Sequence, residues 1–524
     1  MGYPRIEYND IKVDFNRHFN DYDPERIDSR DENEATSGII ETLHFFGRGL
    51  VTAFNERLKA GLIRELREWY RYVRLGNTFK LWWDRGLGMY LSFEGKSLKT
   101  NDEVDGVFTR TGVAYYEDDD TGQVEEVAAD TPRFPSGKFG RGLLLEGNSE
   151  NIILRSEEFD NVAWTKTNIT VHADTTQTLD PEGGATADRL VTLAAGGNVY
   201  QDTATALGTD DGVFSIWIKT MQGIDDLVTL HIEDDTGASK ATKTITPTLE
   251  WVRYDVEYDS TGADADNWRV KLSVAASTGA TTIYVWGAQL EVGASVRYPT
   301  SYMPTVAAAV TRNDELLYYD LTNDLNIGYL KGSFSFWFKP NWPEASIGER
   351  CFFSVVDSSN NVSMAMWGGG SGAGHGVSFA IYTADGGALS SAGTGGTTNK
   401  DEWNHVIGTY DLTISSGIKV YLNGVSLGTN LSDAFLPRIP SKLYIGFHFG
   451  AAGTELNSVI DDFEVRKEVY SQADVTAIFG LGKAFGWTRN YWESLLLIEP
   501  NFSPILNRGG NTYDFELKAK EEIT

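Results

Sequence analysis

A two-part strand signature occurs twice in this chain and limits its fold more than any other feature of the sequence. FSIWIKT (Phe214 to Thr220) precedes LEWVRYDVEYD (Leu249 to Asp259), and FSFWFKP (Phe334 to Pro340) precedes DEWNHVIGTYD (Asp401 to Asp411). Self-similarity of this kind marks two copies of one architecture in tandem. Short alternating runs parted by Gly, Asn and Asp surround both copies, so each is predicted to be a β-sandwich. Period-2 geometry puts Phe334, Phe336 and Phe338 on one face of their strand and Ser335, Trp337 and Lys339 on the other, and it places Trp217 beside Ser215 and Lys219. Recurrence of the tryptophan in both copies reads as a sandwich residue covered by adjacent loops.

A length of 524 residues leaves room for three or four domains of about 100–200 residues each. In residues 1–105, Leu58, Leu62, Ile63, Leu66, Tyr70 and Val73 recur at helical spacing, which predicts an amphipathic helix over 56–74. A hairpin is predicted after it, out through Phe79, Leu81 and Trp83 and back through Tyr90 to Phe93. Residues 106–150 read as a connector, 151–305 as the first sandwich and 306–484 as the second, which closes with a strand pair (441–450 and 457 onward) and a short helix. The tail, 485–524, carries one alternating strand, NTYDFELKAKEEI, and a lone strand needs a sheet elsewhere. Joined to residues 1–105, it makes the expected fold mainly β: two tandem jelly-roll sandwiches inserted into a discontinuous α+β domain.

Charge narrows the partners. With 74 acidic against 45 basic residues the net charge is −29, which argues against nucleic acid. No apolar run approaches the roughly 18 residues of a membrane span, and the first thirty residues are too charged for a secretory signal, so synthesis in the cytosol is expected. Cys351 is the one cysteine, which excludes an internal disulfide and a cysteine zinc site; within CFFSVV it reads as a buried thiol. The acidic run 117–120 lacks EF-hand spacing and reads as a solvated turn. The glycine-rich stretch MWGGGSGAGHG (Met366 to Gly376) is no phosphate loop, because no Lys-Ser/Thr follows it.

GSFSFWFKP, DEWNHVIGTYD, GIKVYLNGVSLGT, KLYIGFHFG and IDDFEV stand in the order found in laminin G-like, concanavalin A-type jelly rolls, and the second copy resembles that family. The first copy and its connector (FTRTGVAYYEDDDTG, TPRF, GLLLEGNSENIILRSEEFDNVAWTK, IYVWGAQLEVG, PTSYMPT) resemble the carbohydrate-binding-module-like jelly roll of tailed-phage tail proteins. Through LREWYRYVRLGNTFKLWWDR, GKSLKTND and YDFELKAKEEI, the two ends are similar to tail-tip and baseplate proteins of long-tailed phages, such as distal tail proteins. These resemblances imply a virion protein of the tail tip, made in the host cytoplasm. They imply a homo-oligomer, a hexamer favoured over a trimer, with tail tube, hub and fibres as neighbours. The implied task is reversible adhesion to host-surface polysaccharide; the alternatives are a purely structural decoration of the baseplate and a polysaccharide depolymerase.

Sugar sites pair an aromatic face with amide, carboxylate and imidazole groups. In the second jelly roll the candidates are Trp367 and His375 on the glycine-rich loop, with Tyr382 and His448 on neighbouring strands. In the first they are Tyr254, Trp268 and Trp286, Trp268 standing in a polar turn with Asp264, Asp266 and Asn267. Jelly rolls of these classes often carry structural calcium on hard oxygen ligands; Asp357 (near Asn360 and Asn361), Asp461 and Asp462 are the candidate ligands, without diagnostic spacing. Glucanases of the concanavalin A fold use a strand motif E-x-D-x-x-E. Here the nucleophile position holds Val459, and strand alternation predicts Asp461 on one face with Phe463 and Asp462 on the other with Glu464. No G-x-S-x-G, H-E-x-x-H or Walker motif is present, and the chain is not expected to be an enzyme.

Overall fold

The structure is a computed structural model. It describes residues 5–8, 11–14, 506–507 and 513–514, and residues 87–485 apart from 92, 94–95, 101–103, 119–120, 193–195, 222–226, 275–280, 295, 297, 322–326, 343–348, 370–375, 385–390, 394–395, 397, 430–435 and 450–452; strands and sheets are those of the described residues. The chain divides into two units, Met1–Arg85 with Trp487–Thr524, and Gly86–Gly486. In the first unit Arg5–Tyr8 pairs with Ile11–Asp14, and Leu506–Asn507 pairs with Tyr513–Asp514. The helix predicted over 56–74 and the strand predicted through Phe79 and Trp83 lie outside the described residues.

The second unit holds two antiparallel sandwiches. In the larger, one sheet runs in the order Ser391–Ala392, Ser378–Ile381, Val362–Gly369, Glu349–Val356, Lys442–Ile445, Leu316–Asp320, Val107–Thr109. The facing sheet runs Val425–Thr429, Ile418–Leu422, Asn404–Asp411, Lys331–Pro340, Ser458–Arg466, Leu87–Leu91, and Leu143–Leu145 pairs with the other half of Ser458–Arg466. Phe334, Phe336 and Phe338 fill the space between the sheets with Phe352, Phe353, Phe379 and Phe463. Each such ring contributes roughly 2–3 kcal/mol by leaving water.

Three of these strands fall outside the expected boundaries. Leu87–Leu91 pairs with Ser458–Arg466 rather than returning to a hairpin of the N-terminal unit. Val107–Thr109 and Leu143–Leu145, read as connector, are also sheet members. The reason is pairing demand: Leu316–Asp320 and Ser458–Arg466 would otherwise present bare ladder edges. The predicted strand pair near the end also separates, since Lys442–Ile445 and Ser458–Arg466 belong to opposite sheets. The larger sandwich is thus drawn from both sides of the smaller one, which is an insertion within it and not its tandem neighbour.

The inserted sandwich has two five-stranded sheets. One is ordered Ile169–His172, Asp188–Thr192, Thr282–Gly293, Asp211–Lys219, Val252–Tyr258, and the other Ser239–Ile245, Val228–Asp234, Asp264–Val274, Gly197–Gly208, Thr165–Thr167. At its stem Ser149–Asn151 pairs with Val310–Arg312. A fully buried ionic network ties the stem to the larger sandwich: Arg110 to Glu315 (2.7 Å), Arg133 to Glu315 (2.7 Å) and Glu146 (2.8 Å), and Arg312 to Glu146 (3.3 Å). Glu146 is held down to about 2 because these two guanidiniums and the Ser301 donors outweigh its burial.

The repeat read from sequence extends to backbone detail. FSIWIKT pairs with the strand after it so that Trp217 faces Arg253, and FSFWFKP does the same with Trp337 facing His405. On the other flank both strands meet a register shift at the same place, between Ser215 and Trp217 and between Ser335 and Trp337. The residue that absorbs the bulge has positive φ each time, Gly287 (65°) and Asp462 (55°).

Candidate functional site

The bulge at Asp462 overturns the expected alternation of its strand. Ile460, Phe463 and Val465 enter the core, so Phe463 lies opposite Asp461 instead of beside it. Asp461 is buried; its Oδ2 accepts the Phe139 N–H at 2.9 Å and its Oδ1 the Asp462 N–H at 2.7 Å. Glu464 accepts from Arg466 and Tyr470. Asp357 closes the hairpin between Glu349–Val356 and Val362–Gly369, its Oδ1 accepting from the backbone N–H of Ser359 and Asn361. Of the three expected calcium ligands, Asp357 and Asp461 accept N–H donors on different sheets, and among the described residues no group of three or more His, Cys, Asp or Glu is placed to hold a metal. The acidic turn is also only partly solvated: Asp118 is buried, taking Lys96 at 2.9 Å, Tyr116 at 2.8 Å and Arg141 at 3.1 Å.

In the larger sandwich Trp367 stands inside the strand Val362–Gly369, not on the glycine-rich loop, and is half-buried. Met364 and Met366 occupy the core, so Trp367 points away from it. Tyr382 lies on the same face: Trp367 pairs with Ser378, and the Tyr382 N–H bonds the Ser363 carbonyl, about 13 Å along the strand. The segment Phe447–Phe449 covers part of this face through Ser354, which donates to the Phe447 carbonyl at 2.8 Å. Burial raises the Tyr382 phenol and lowers the His448 imidazole, and Glu349 acts on both. Trp367, Tyr382 and His448 are therefore half-covered residues of one face, and His375 lies outside the described residues.

In the inserted sandwich two candidates are removed by burial. Trp268 belongs to the strand Asp264–Val274 and not to a polar turn; it is 0% exposed and packs edge-on to Tyr258 in the core. Trp286 is also 0% exposed, donating to Thr186 at 2.9 Å between Trp217 and Tyr302. Neither ring has a free face for a sugar. Tyr254 is half-buried against the same core as Trp268.

The best-formed site lies where the two copies of the repeat diverge. In the larger sandwich the Trp337 and His405 rings stack at 4.6 Å and are closed over by Phe479 and Phe139. Burial drives His405 down to about 3, and its Ser335 partner at 2.9 Å has no carboxylate relay behind it, so this pair is structural. In the inserted sandwich the matching pair is Trp217 with the Arg253 guanidinium 4.5 Å above its ring. Two residues along the same face, Lys219 lies over Trp251 at 5.5 Å, repeating the cation and indole with the strands exchanged. Such contacts are strongest when desolvated.

Among the described residues no helix closes this face. A groove of about 620 Å³ runs over Trp251, Lys219 and Arg253, walled by Gln123 of the hairpin Ala114–Asp118/Gln123–Val127 and by Thr178 and Asp180. A second cavity of about 280 Å³ adjoins it, sharing Glu117, Val124, Trp217 and Arg253, and reaches Lys339 and Asn341 of the larger sandwich. Volumes of this size suit small ligands, and the seam between two domains is a common place for them. Trp251, Lys219, Arg253 and Glu117 were not among the sugar-site candidates read from the sequence. Their signal was present in LEWVRYDVEYD, where Trp251 and Arg253 alternate on the face that Trp217 and Lys219 share.

Residues 318–476 match a laminin G family described as the concanavalin A-like lectin/glucanases superfamily. The larger sandwich is a concanavalin A-like jelly-roll domain, and the buried thiol of Cys351 belongs to its sheet. No curated protein matches the chain. Among solved structures, a heptameric SAP-like pentraxin from Limulus polyphemus is 16% identical over 29% of this chain and 71% of its own, with a TM-score of 0.24. The ligand-binding domain of botulinum neurotoxin serotype D, in complex with N-acetylneuraminic acid, is 16% identical over 31% of this chain and 39% of its own, at 0.25. Domain 4 of AbnA, a GH43 extracellular arabinanase from Geobacillus stearothermophilus, in complex with arabinotriose, is 17% identical over 35% and 81%, at 0.24. The chain spans about 40% of the length of the toxin domains it matches. Likeness at these scores carries no functional argument. Among the described residues no helix is long and apolar enough to cross a membrane.

Proposed function

We propose that the chain is a glycan-binding adhesin of a phage tail tip, and that its saccharide lies in the groove over Trp251. The observation that supports this reading is the groove itself: half-buried Trp251, with Lys219 5.5 Å from its ring, lines it beside polar Thr178, Gln123 and Glu117, whereas in the other copy Phe479 stacks over Trp337. An indole face meets the C–H groups of a pyranose, while amide, carboxylate and guanidinium groups bond its hydroxyls. Binding at one such site is weak. A ring of six chains, formed through residues 1–85 and 487–524, would present the sites at high effective concentration and raise avidity by about 10²–10⁴.

The test is a panel of bacterial surface polysaccharides presented to the full-length chain. Saturable binding competed by free saccharide supports the reading. Failure of every polysaccharide from a susceptible host to bind, with folded and multivalent protein, overturns it. A second reading, structural decoration without sugar binding, is favoured by an apolar cleft of about 420 Å³ lined by Leu321, Ile327, Tyr329, Ile439 and Pro440, of which Ile439 is 72% exposed.

A further inference from the structure

The smaller cavity, where the inserted sandwich meets the larger one, contains two orphaned polar groups of opposite character. Arg253 lines it with a guanidinium whose Nη1 donates to the Thr300 carbonyl at 2.7 Å, while Nε and Nη2 are shut from solvent and have no hydrogen-bond partner. Asn341, from the other side of the seam, lines the same cavity with a buried Oδ1 that also has no partner. Leaving such groups unpaired is costly, and the cost is removed by a ligand that supplies an acceptor to one and a donor to the other.

The free Nε–Nη2 edge of a guanidinium is a planar fork that matches the two oxygens of a carboxylate. Charges already present in the cavity do not occupy it. Glu146 is taken by Arg133 and Arg312. In the adjoining groove Asp180 accepts the backbone N–H groups of Glu182, Gly184 and Thr186. Glu117 lines both spaces and forms no ion pair with Arg253. Lys339 lines the cavity and Lys219 the groove, each adding a cation. Glu117, Glu146 and Asp180 balance these cations in formal charge, so what would favour a carboxylate is the unpaired fork of Arg253 and not a net positive field.

We infer that the site selects an acidic saccharide: Arg253 turns its Nε–Nη2 edge, covered in this structure, into the cavity to take a sugar carboxylate, a neighbouring hydroxyl donates to Asn341 Oδ1, and the next ring lies along Trp251. This rests on the glycan-binding reading and adds the chemical class of the sugar. Such a site would draw on both sandwiches, since Arg253 belongs to one and Asn341 to the other.

The experiment titrates the full-length chain against uronate-bearing bacterial polysaccharides, each beside its own carboxyl-reduced form. The inference expects at least one pair in which the acidic member binds about tenfold or more tightly than the reduced one. Arg253→Lys, which keeps the charge and loses the fork, should abolish that preference, and Asn341→Ala should weaken both members; melting curves of each variant establish that it is folded. Equal affinity for the two members of every bound pair, or a preference unchanged in folded Arg253→Lys, overturns the acidic-sugar inference and leaves the groove as a neutral-glycan site. Absence of binding to all members overturns the glycan-binding reading itself.

Discussion

The guanidinium of Arg133 grips both carboxylate oxygens of Glu315, Nε at 3.0 Å and Nη2 at 2.7 Å, across 182 residues of chain. Between these two residues lies the whole inserted sandwich. Both side chains are 0% exposed, and the same carboxylate also receives Arg110 and the Glu146 N–H. The pair fixes the entry and exit of the insertion at one point, beside the seam whose cavity Arg253 and Asn341 line.

Removing one member of such a network strands the others. Glu315→Gln is expected to cost about 3–5 kcal/mol, because two guanidiniums lose their charge partner in a dry site. Denaturant unfolding measures it. A loss below about 1 kcal/mol would mean that water reaches Arg110 and Arg133.

A second expectation concerns the bulge beneath the groove. Gly287 has φ of +65°, and a Cβ there would lie 2.9 Å from Trp217 Cε3. Gly287→Ala should cost about 1–3 kcal/mol through strain and overpacking. Because the displaced ring carries Arg253, saccharide affinity should fall as well; thermal melting and titration of the same sample read both effects. An unchanged melting temperature would show that Trp217 moves freely.

Titration of two buried carboxyls predicts an optimum of stability in mild acid. Asp188, 1% exposed, is pushed up to about 7 by burial, against the N–H groups of Asp174 and Phe159 that favour its charge. An acid raised on folding binds its proton more tightly in the native state, so stability falls as pH rises from about 4 to 7. Glu146 has the opposite sign: lowered to about 2, its contribution is complete above about 4.5 and is lost on further acidification. Melting temperature should therefore rise from pH 8 to about 5 and fall below about 4, and Asp188→Asn should shrink the alkaline limb, to which Glu182, also raised to about 7, contributes as well, and leave the acid limb unchanged. A melting temperature that rises steadily towards pH 8 would contradict this assignment.

What could be read from the sequence was what local pattern controls. The phenylalanines of FSFWFKP, the covered Trp337 and the two copies of one sandwich follow from period-2 alternation and self-similarity. What could not be read depended on distant pairing. Nothing near Leu87–Leu91 says that it completes an edge beside residues 458–466. Alternation failed at Asp462 because a bulge in the left-handed region reverses the faces on its two sides, and a non-glycine bulge leaves little trace in composition. Trp268 misled because the acidic residues around it suggested a turn, whereas its own alternation with Val270, Leu272 and Val274 marks the inward face of a strand. Arg253 was missed because its unpaired edge is visible only once Asn341 and Glu117, far away in sequence, close the cavity around it.

The most direct test of the account is isothermal titration of a host-surface polysaccharide into three full-length proteins: the unaltered chain, Trp251→Ala and Trp367→Ala. Saturable binding is expected to fall by about tenfold or more in Trp251→Ala, where the stacking face is lost, and to persist in Trp367→Ala, whose ring lies on the half-covered face of the other sandwich. Binding that survives Trp251→Ala and disappears in Trp367→Ala would move the site to the concanavalin A-like domain and contradict the placement argued from the groove.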